Sequence, residues 1–456
     1  MRLFPMILVI LAGLTLIGCK EDASTGLLTS PAGHVFALLP LPDAAVVSVQ
    51  VVWPMPWALD DRHNPAVSHL GTKLMLIGGA GDMTAQALQQ AMAKLGADAF
   101  LLDAGITLRG AVTAPPASLD QAVTLTNLML RNPAFPVDLL DQLRAAAAQS
   151  QTELYRGATE QAFLALRMAV MKDQPNYSES LSYSNAGLIN AVTAADIKTW
   201  HAETLVSPGA LIAVAGPIDA GAAARAVDLL FAGLPDTAAP TAAIKPMDLR
   251  PRSILLHVPS AQNTTLVVIA PMPPTGDAGE MDDIIGSYIL GGDDRALLAT
   301  TLTAQLGTPI NFTASIDAFS RQNRILVMSG QIDTNQAAAV REGVIKTYVA
   351  MTTTAPAKDQ LARWTAHLAS NLAAVKNNAA NRAGAMLESM MDGNSPAAIL
   401  QLDAMLTKVT PESVQARFAA TYAPASDLIF VAISPDATAL PGACVILQPK
   451  DVLNCP

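Results

Sequence analysis

The sequence predicts an α+β protein of two duplicated domains, each a mainly antiparallel sheet packed with helices. Three observations lead there. The chain has 456 residues, more than one hydrophobic core usually fills. It repeats itself: Pro54, Val192 and Asp219 each find their match 217 positions later, at Pro271, Val409 and Asp436. Within each repeat, short β-branched runs come before longer segments with helical spacing. The matched stretches are 51–56 with 268–273, and 192–219 with 409–436, the latter pair without a gap. Three anchors at one offset indicate duplication. The expected domains are 31–236 and 251–456, of ordinary domain size. A linker, 237–250, joins them, with Pro240 as a candidate hinge.

The elements follow in order. Residues 46–52 alternate as a strand. Residues 84–95 form a helix with Leu88, Ala91, Met92 and Leu95 on one face and Thr84 as its N-cap. Residues 119–130 carry Ala122, Val123, Leu125, Leu128 and Met129 at helical spacing. Residues 137–152 are Ala-rich and favour helix. Residues 211–215 form a buried strand that closes the half after a helix and a short loop. The second half repeats this, with strands at 253–257, 265–270 and 428–433.

Composition narrows the function classes. Apolar residues make up 51%, charged residues 14% and aromatics 4%. That much apolar surface excludes disorder for the bulk of the chain. Mean hydropathy is +0.34, which raises the question of a polytopic membrane protein. Beyond the N-terminus, though, every apolar run is broken well short of the ~20 residues a spanning helix needs. Net charge is −10, from 28 basic and 38 acidic residues. No basic stripe exists to track a phosphate backbone, so nucleic acid is not an expected partner.

The N-terminus reads as an address. Met1 and Arg2 precede an apolar stretch, 3–17, of signal-peptide size. It ends in Leu16-Ile17-Gly18-Cys19, which resembles a bacterial lipobox. That resemblance implies a signal peptide at 1–18, lipidation of Cys19 and a tether at 19–30. The alternative is an ordinary signal peptide or membrane anchor with an incidental Cys. Acylation would fix the body to a membrane surface, facing the periplasm. Lys20 after the Cys points to the outer membrane rather than the inner by the same resemblance. The other two cysteines, Cys444 and Cys455, flank residues 445–447 and 452–453, which read as two short strands around a Pro turn. A disulfide between them suits an oxidising compartment; two free thiols are the alternative.

The order of several stretches resembles the insulinase/pitrilysin-type zinc metallopeptidases, which include the mitochondrial processing peptidase. These stretches are His69-Leu70-Gly71-Thr72-Lys73 through Gly78-Gly79, Leu95-Gly96-Ala97, Leu130 to Phe135, Ala215 to Asp219, and Ile289-Leu290-Gly291-Gly292 with Leu297. The resemblance runs from about residue 31 to about residue 436 and implies the duplicated α+β fold. The family's chemistry rests on H-x-x-E-H on one helix, where the two histidines reach one Zn²⁺ and the Glu activates its water. A third ligand, a Glu, comes from a later helix. By resemblance His69 stands at the first position, Thr72 at the Glu position and Lys73 at the second His position. The third ligand falls at Gln149 or Ser150, with Glu153 one turn further on. The family's substrate-holding Arg and Tyr fall at Thr303 and at Ile310 or Asn311.

No substitute site is visible. Among His34, His63, His201, His257 and His367, none pairs at metal-ligand spacing. His201 and Glu203 read as a helix-surface pair, and His69 as a relic or a hydrogen-bonded core histidine. Ser68, Ser182 and Ser184 lack a triad context. Gly78-Gly79-Ala80-Gly81 and Gly291-Gly292 lack the Lys of a phosphate loop. The expectation is a pseudo-peptidase without catalytic residues, metal or cofactor. It would partner an active zinc-peptidase homologue in a heterodimer, with extended peptides as further ligands. A stand-alone peptide-binding or scaffold lipoprotein, or a peptidase with a non-standard site, are the alternatives.

Overall fold

The protein was analysed as a computed structural model describing residues 26–456, apart from 61, 155–156, 175–185, 239–240, 242, 275–278 and 321. The expected signal peptide, Cys19, the first part of the tether, Ser182, Ser184 and Pro240 lie outside the described residues.

Two six-stranded sheets organise the chain. The first holds β1 (Gly26–Thr29), β2 (Val35–Pro40), β3 (Val47–Pro54), β4 (Asp98–Asp103), β5 (Thr107–Ala114) and β6 (Leu211–Gly216). Their order is β1-β2-β6-β3-β5-β4. The second holds β7 (Ser253–His257), β8 (Thr264–Pro271), β9 (Phe312–Ser320), β10 (Asn323–Ile332), β11 (Ile429–Ser434) and β12 (Cys444–Ile446), in the order β12-β7-β11-β8-β10-β9. Five strands thus repeat one topology. In the first sheet only β2 and β6 pair parallel. In the second, β7 pairs parallel with both β11 and β12. The sixth strand differs in origin: β1 comes from the N-terminal end and β12 from the C-terminal end.

The first half carries α1 (Ala66–Ile77), α2 (Ala85–Lys94), α3 (Leu119–Arg131), α4 (Val137–Leu154), α5 (Ala158–Val170), α6 (Ala186–Ala191), α7 (Ala194–Thr204) and α8 (Ala220–Phe231). The second carries α9 (Glu280–Gly291), α10 (Leu297–Leu306), α11 (Ala337–Thr353), α12 (Lys358–Val375), α13 (Ala379–Met391), α14 (Leu402–Leu406) and α15 (Pro411–Thr421). The repeat extends to local detail. Thr193 opens α7 with a capping box to Asp196, and Thr410, 217 positions on, opens α15 with one to Ser413. Thr84 caps α2 by accepting from the Ala87 amide at 3.2 Å.

Both faces of each sheet are covered, which is why β8 and β11 read as near-continuous apolar runs rather than alternating ones. On one face each sheet packs its own helices, as Val49, Val51 and Val214 do with Leu70, Leu74 and Trp200. On the other face the halves exchange helices. Helix α5 sets Ala162, Ala165 and Leu166 against Val267, Ile269 and Val431 of the second sheet. Helix α13 sets Ala383, Met386 and Leu387 against Ala37, Val52 and Ala213 of the first. The two lie at matching places, 221 positions apart end to end. Polar ties cross with them. Gln50 donates to the Ala380 carbonyl at 2.7 Å, and Arg109 pairs with Glu388. The guanidinium of Arg167, the α5 counterpart of Glu388, opposes the upward push that burial gives the Asp317 carboxyl.

Two expectations needed correction. The first half does not close on its buried strand; β6 leads into α8, whose first turn Asp219 caps through the Ala222 amide at 2.8 Å. Residues 452–453 are not a strand either. Pro449 and a capping box between Gln448 and Asp451 wind Pro449–Asn454 into a 3-10 turn. Cys455 ends that turn and is joined to Cys444, with 5.9 Å between Cα atoms. Among the described residues no helix is long and apolar enough to cross a membrane.

Candidate functional site

Helix α1 follows Pro65, and the Asn64 side chain accepts from the Ala66 amide at 2.9 Å. Asn64 also donates to the Leu188 carbonyl at 2.8 Å, fixing the entry of the helix against α6. Leu70, Leu74 and Met75 face the core. Gly71 permits the closest packing: a Cβ there would stand 2.5 Å from the Trp200 ring of α7. The helix is therefore held tightly, and its remaining face presents His69, Thr72 and Lys73.

These three have different surroundings. Thr72 is 4% exposed, and its hydroxyl has no hydrogen-bond partner among the described residues. Lys73 is exposed. His69 is half-buried, and its imidazole is pushed down to about 4, first by burial and then by the Lys73 ammonium. At neutral pH the ring is uncharged. Helix α4 packs beside α1 and carries Gln149 and Ser150, both exposed. The Gln149 amide donates to Glu153 Oε1 at 3.0 Å, one turn along the same helix.

A zinc ion does not fit this set. A neutral imidazole is a good ligand, but an ammonium four residues on repels a dication. Threonine and glutamine are weak substitutes for carboxylates. Among the described residues no group of three His, Cys, Asp or Glu stands close enough to hold a metal ion.

Other sequence candidates have structural uses. His201 and Glu203 are not a surface pair. The His201 ring meets the Leu130 carbonyl at 2.7 Å and lies edge-on to Phe135, and burial pushes its imidazole down. Glu203 accepts the Trp57 indole N–H at 3.1 Å. Two residues apart on α7, they point to different neighbours because a helix turns about 200° between them. Thr303 accepts the Ile310 amide at 3.1 Å and closes the loop after α10. Gly291 serves packing: a Cβ would stand 2.2 Å from the Ala314 nitrogen of β9. Gly79 is a turn residue at φ +85°.

Two arrangements were not legible in the sequence. The Ser68 hydroxyl donates to Asp103 Oδ2 at 2.6 Å, tying α1 to edge strand β4 from 35 positions away. Near the start of α1, Trp57, Asp60, His63, Glu203 and Thr241 line an open cavity of about 330 Å³. His63 stacks on Trp57 at 4.0 Å. Only the fold brings 57, 203 and 241 together.

Comparison with known proteins agrees with this frame. Residues 191–363 match the family model described as "Peptidase M16 inactive domain". No curated protein sequence matches the chain. Among solved structures, the peptidase M16 inactive domain from Pseudomonas fluorescens is 16% identical, with a TM-score of 0.81 over 91% of this chain and 100% of that one. A protease from Helicobacter pylori is 14% identical, with a TM-score of 0.76 over 91% and 100%. The periplasmic protease PqqL from Escherichia coli is 12% identical, with a TM-score of 0.69; the match covers 96% of this chain and 50% of that one. Residues 191–363 thus resemble the M16 family's domain described as inactive, and the whole frame shares the fold of these insulinase/pitrilysin-type (M16) structures.

Proposed function

We propose that this chain is a non-catalytic pseudo-peptidase subunit of the bacterial cell envelope. It is tethered through a lipidated Cys19, faces the periplasm from the outer membrane, and pairs with an active zinc-peptidase homologue. Its peptidase-like domains are 31–236 and 251–456, joined at 237–250. The observation that carries the reading is the donor set on α1 and α4: His69 with Thr72, Lys73 and Gln149 in place of two carboxylates and an imidazole. Removing a single ligand would weaken a metal site; replacing one by a cation and two by neutral groups opposes it electrostatically.

The pairing is supported by length. PqqL holds in one chain about twice the frame present here, so a second chain of this kind would build an assembly of similar size. PqqL is described as periplasmic, which supports the proposed compartment. Edge strand β4 supports a role in holding extended peptide, either within the pair or as a stand-alone binder. Among the described residues no strand pairs with its outer side, and Phe100 and Leu102 are 48% and 52% exposed. Affinity purification from native membranes tests the reading. A co-purifying chain with an intact H-x-x-E-H motif is expected, and the isolated protein should retain no stoichiometric zinc. A solitary monomer with one tightly bound zinc and chelator-sensitive peptide cleavage would overturn it.

A further inference from the structure

The C-terminal segment covers a helix that belongs to the other half. Helix α5 lies on the second sheet, and the 449–454 turn packs over it. Val452 of that turn is buried in the same apolar cluster as Leu166 and Val431. Its counterpart α13 is covered the same way by a turn, Pro396–Gln401. The two covers are held differently. The 396–401 turn runs on into α14 and is chained at both ends. The 449–454 turn runs into Cys455. Its far end is held by the bond to Cys444, at the start of β12, itself a three-residue strand paired with β7. Both cysteines are partly exposed and pack on their inner side against that same cluster.

We propose that Cys444–Cys455 is a thiol–disulfide exchange site, acted on by a dithiol reductant, whose state sets how firmly α5 of the first half is seated on the second. In the reaction one thiolate of the dithiol attacks a protein sulfur and forms a mixed disulfide. The second thiol then displaces the protein, leaving Cys444 and Cys455 as two thiols and the dithiol as a disulfide. Two electrons pass to the protein sulfurs. The C-terminal end of α5 keeps separate ties, since Arg252 donates to the Ala169 carbonyl at 3.1 Å and the Asp248 amide to that of Val170 at 2.7 Å. Reduction therefore loosens the cover without unfolding the half.

Hydrogen exchange on the full oxidised chain, with and without millimolar dithiothreitol, tests this, using peptides spanning 158–170 and 379–391. Exchange in 158–170 should quicken about tenfold on reduction and likewise in Cys455→Ser, while 379–391 keeps its rate. The dithiothreitol arm starts from folded protein, so the test survives if the variant misfolds. Unchanged exchange in 158–170 with both thiols shown free by labelling would overturn the proposal. So would a bond that resists the dithiol in the folded chain, or equal loosening of both helices.

Discussion

The electrostatics around His69 can be measured directly. Its imidazole is held at about 4 by burial and, second, by the Lys73 ammonium, whereas in the unfolded chain it takes up its proton near about 6.5. The native state thus resists a proton that the unfolded state accepts, so acid favours unfolding through this one group. The destabilisation is absent above about pH 6.5, grows as pH falls through the window, and is complete below 4. The gap corresponds to about 3 kcal/mol in full, and about 2 kcal/mol at pH 5. The perturbations are His69→Gln, which cannot ionise, and Lys73→Met, which removes the neighbouring charge. Urea unfolding at pH 7.5 and 5 should show the wild type losing about 2 kcal/mol more than His69→Gln over that interval. An NMR titration should find the His69 value raised in Lys73→Met yet still below 6.5, since burial, the larger cause, persists. A wild-type ring titrating at 6.5 or above, or one indifferent to Lys73→Met, would refute the reasoning. The ammonium would then not be felt where a metal would have to sit.

Further outcomes follow from the packing. Asp283 is fully buried and takes both arms of Arg417 at 2.9 Å, with Arg324 at 3.6 Å. Asp283→Leu takes the buried carboxylate from Arg417 and Arg324, the latter keeping the Pro273 and Pro274 carbonyls, and should cost about 3–5 kcal/mol, a fall of roughly 6–20 °C in the melting of the second half by calorimetry. Thr193→Ala and Thr410→Ala each remove one member of the twin capping boxes and should each lower stability by about 1 kcal/mol in urea unfolding. Gly291→Ala forces a methyl against the Ala314 nitrogen and should destabilise by about 1–3 kcal/mol or more, seen in the same assay.

Much of the frame was written in local sequence. The 217-residue repeat fell on strands and caps, whose residues are dictated by neighbours only a few positions away. Thr84 accepts from an amide three residues on, so its role shows in a short window, and Thr193 and Thr410 prove to cap in the same way. The exchange of α5 and α13 left no such mark, because an apolar helix face carries the same spacing whichever sheet it covers. The candidate site divides the same way. His69, Thr72 and Lys73 lie within five residues on one helix and could be read together. The Ser68–Asp103 bond and the meeting of Trp57 with Glu203 depend on chain reversals that no local pattern specifies. His201 and Glu203 misled for this reason: adjacency in sequence suggested one role, and burial gave them two.

The swap of helices between halves also constrains how such a chain can be made and divided. Either half expressed by itself would emerge with one sheet face bare, a broad aliphatic wall inviting self-association. The ancestral unit, before duplication, would have met that need by lending its helix to an identical neighbour.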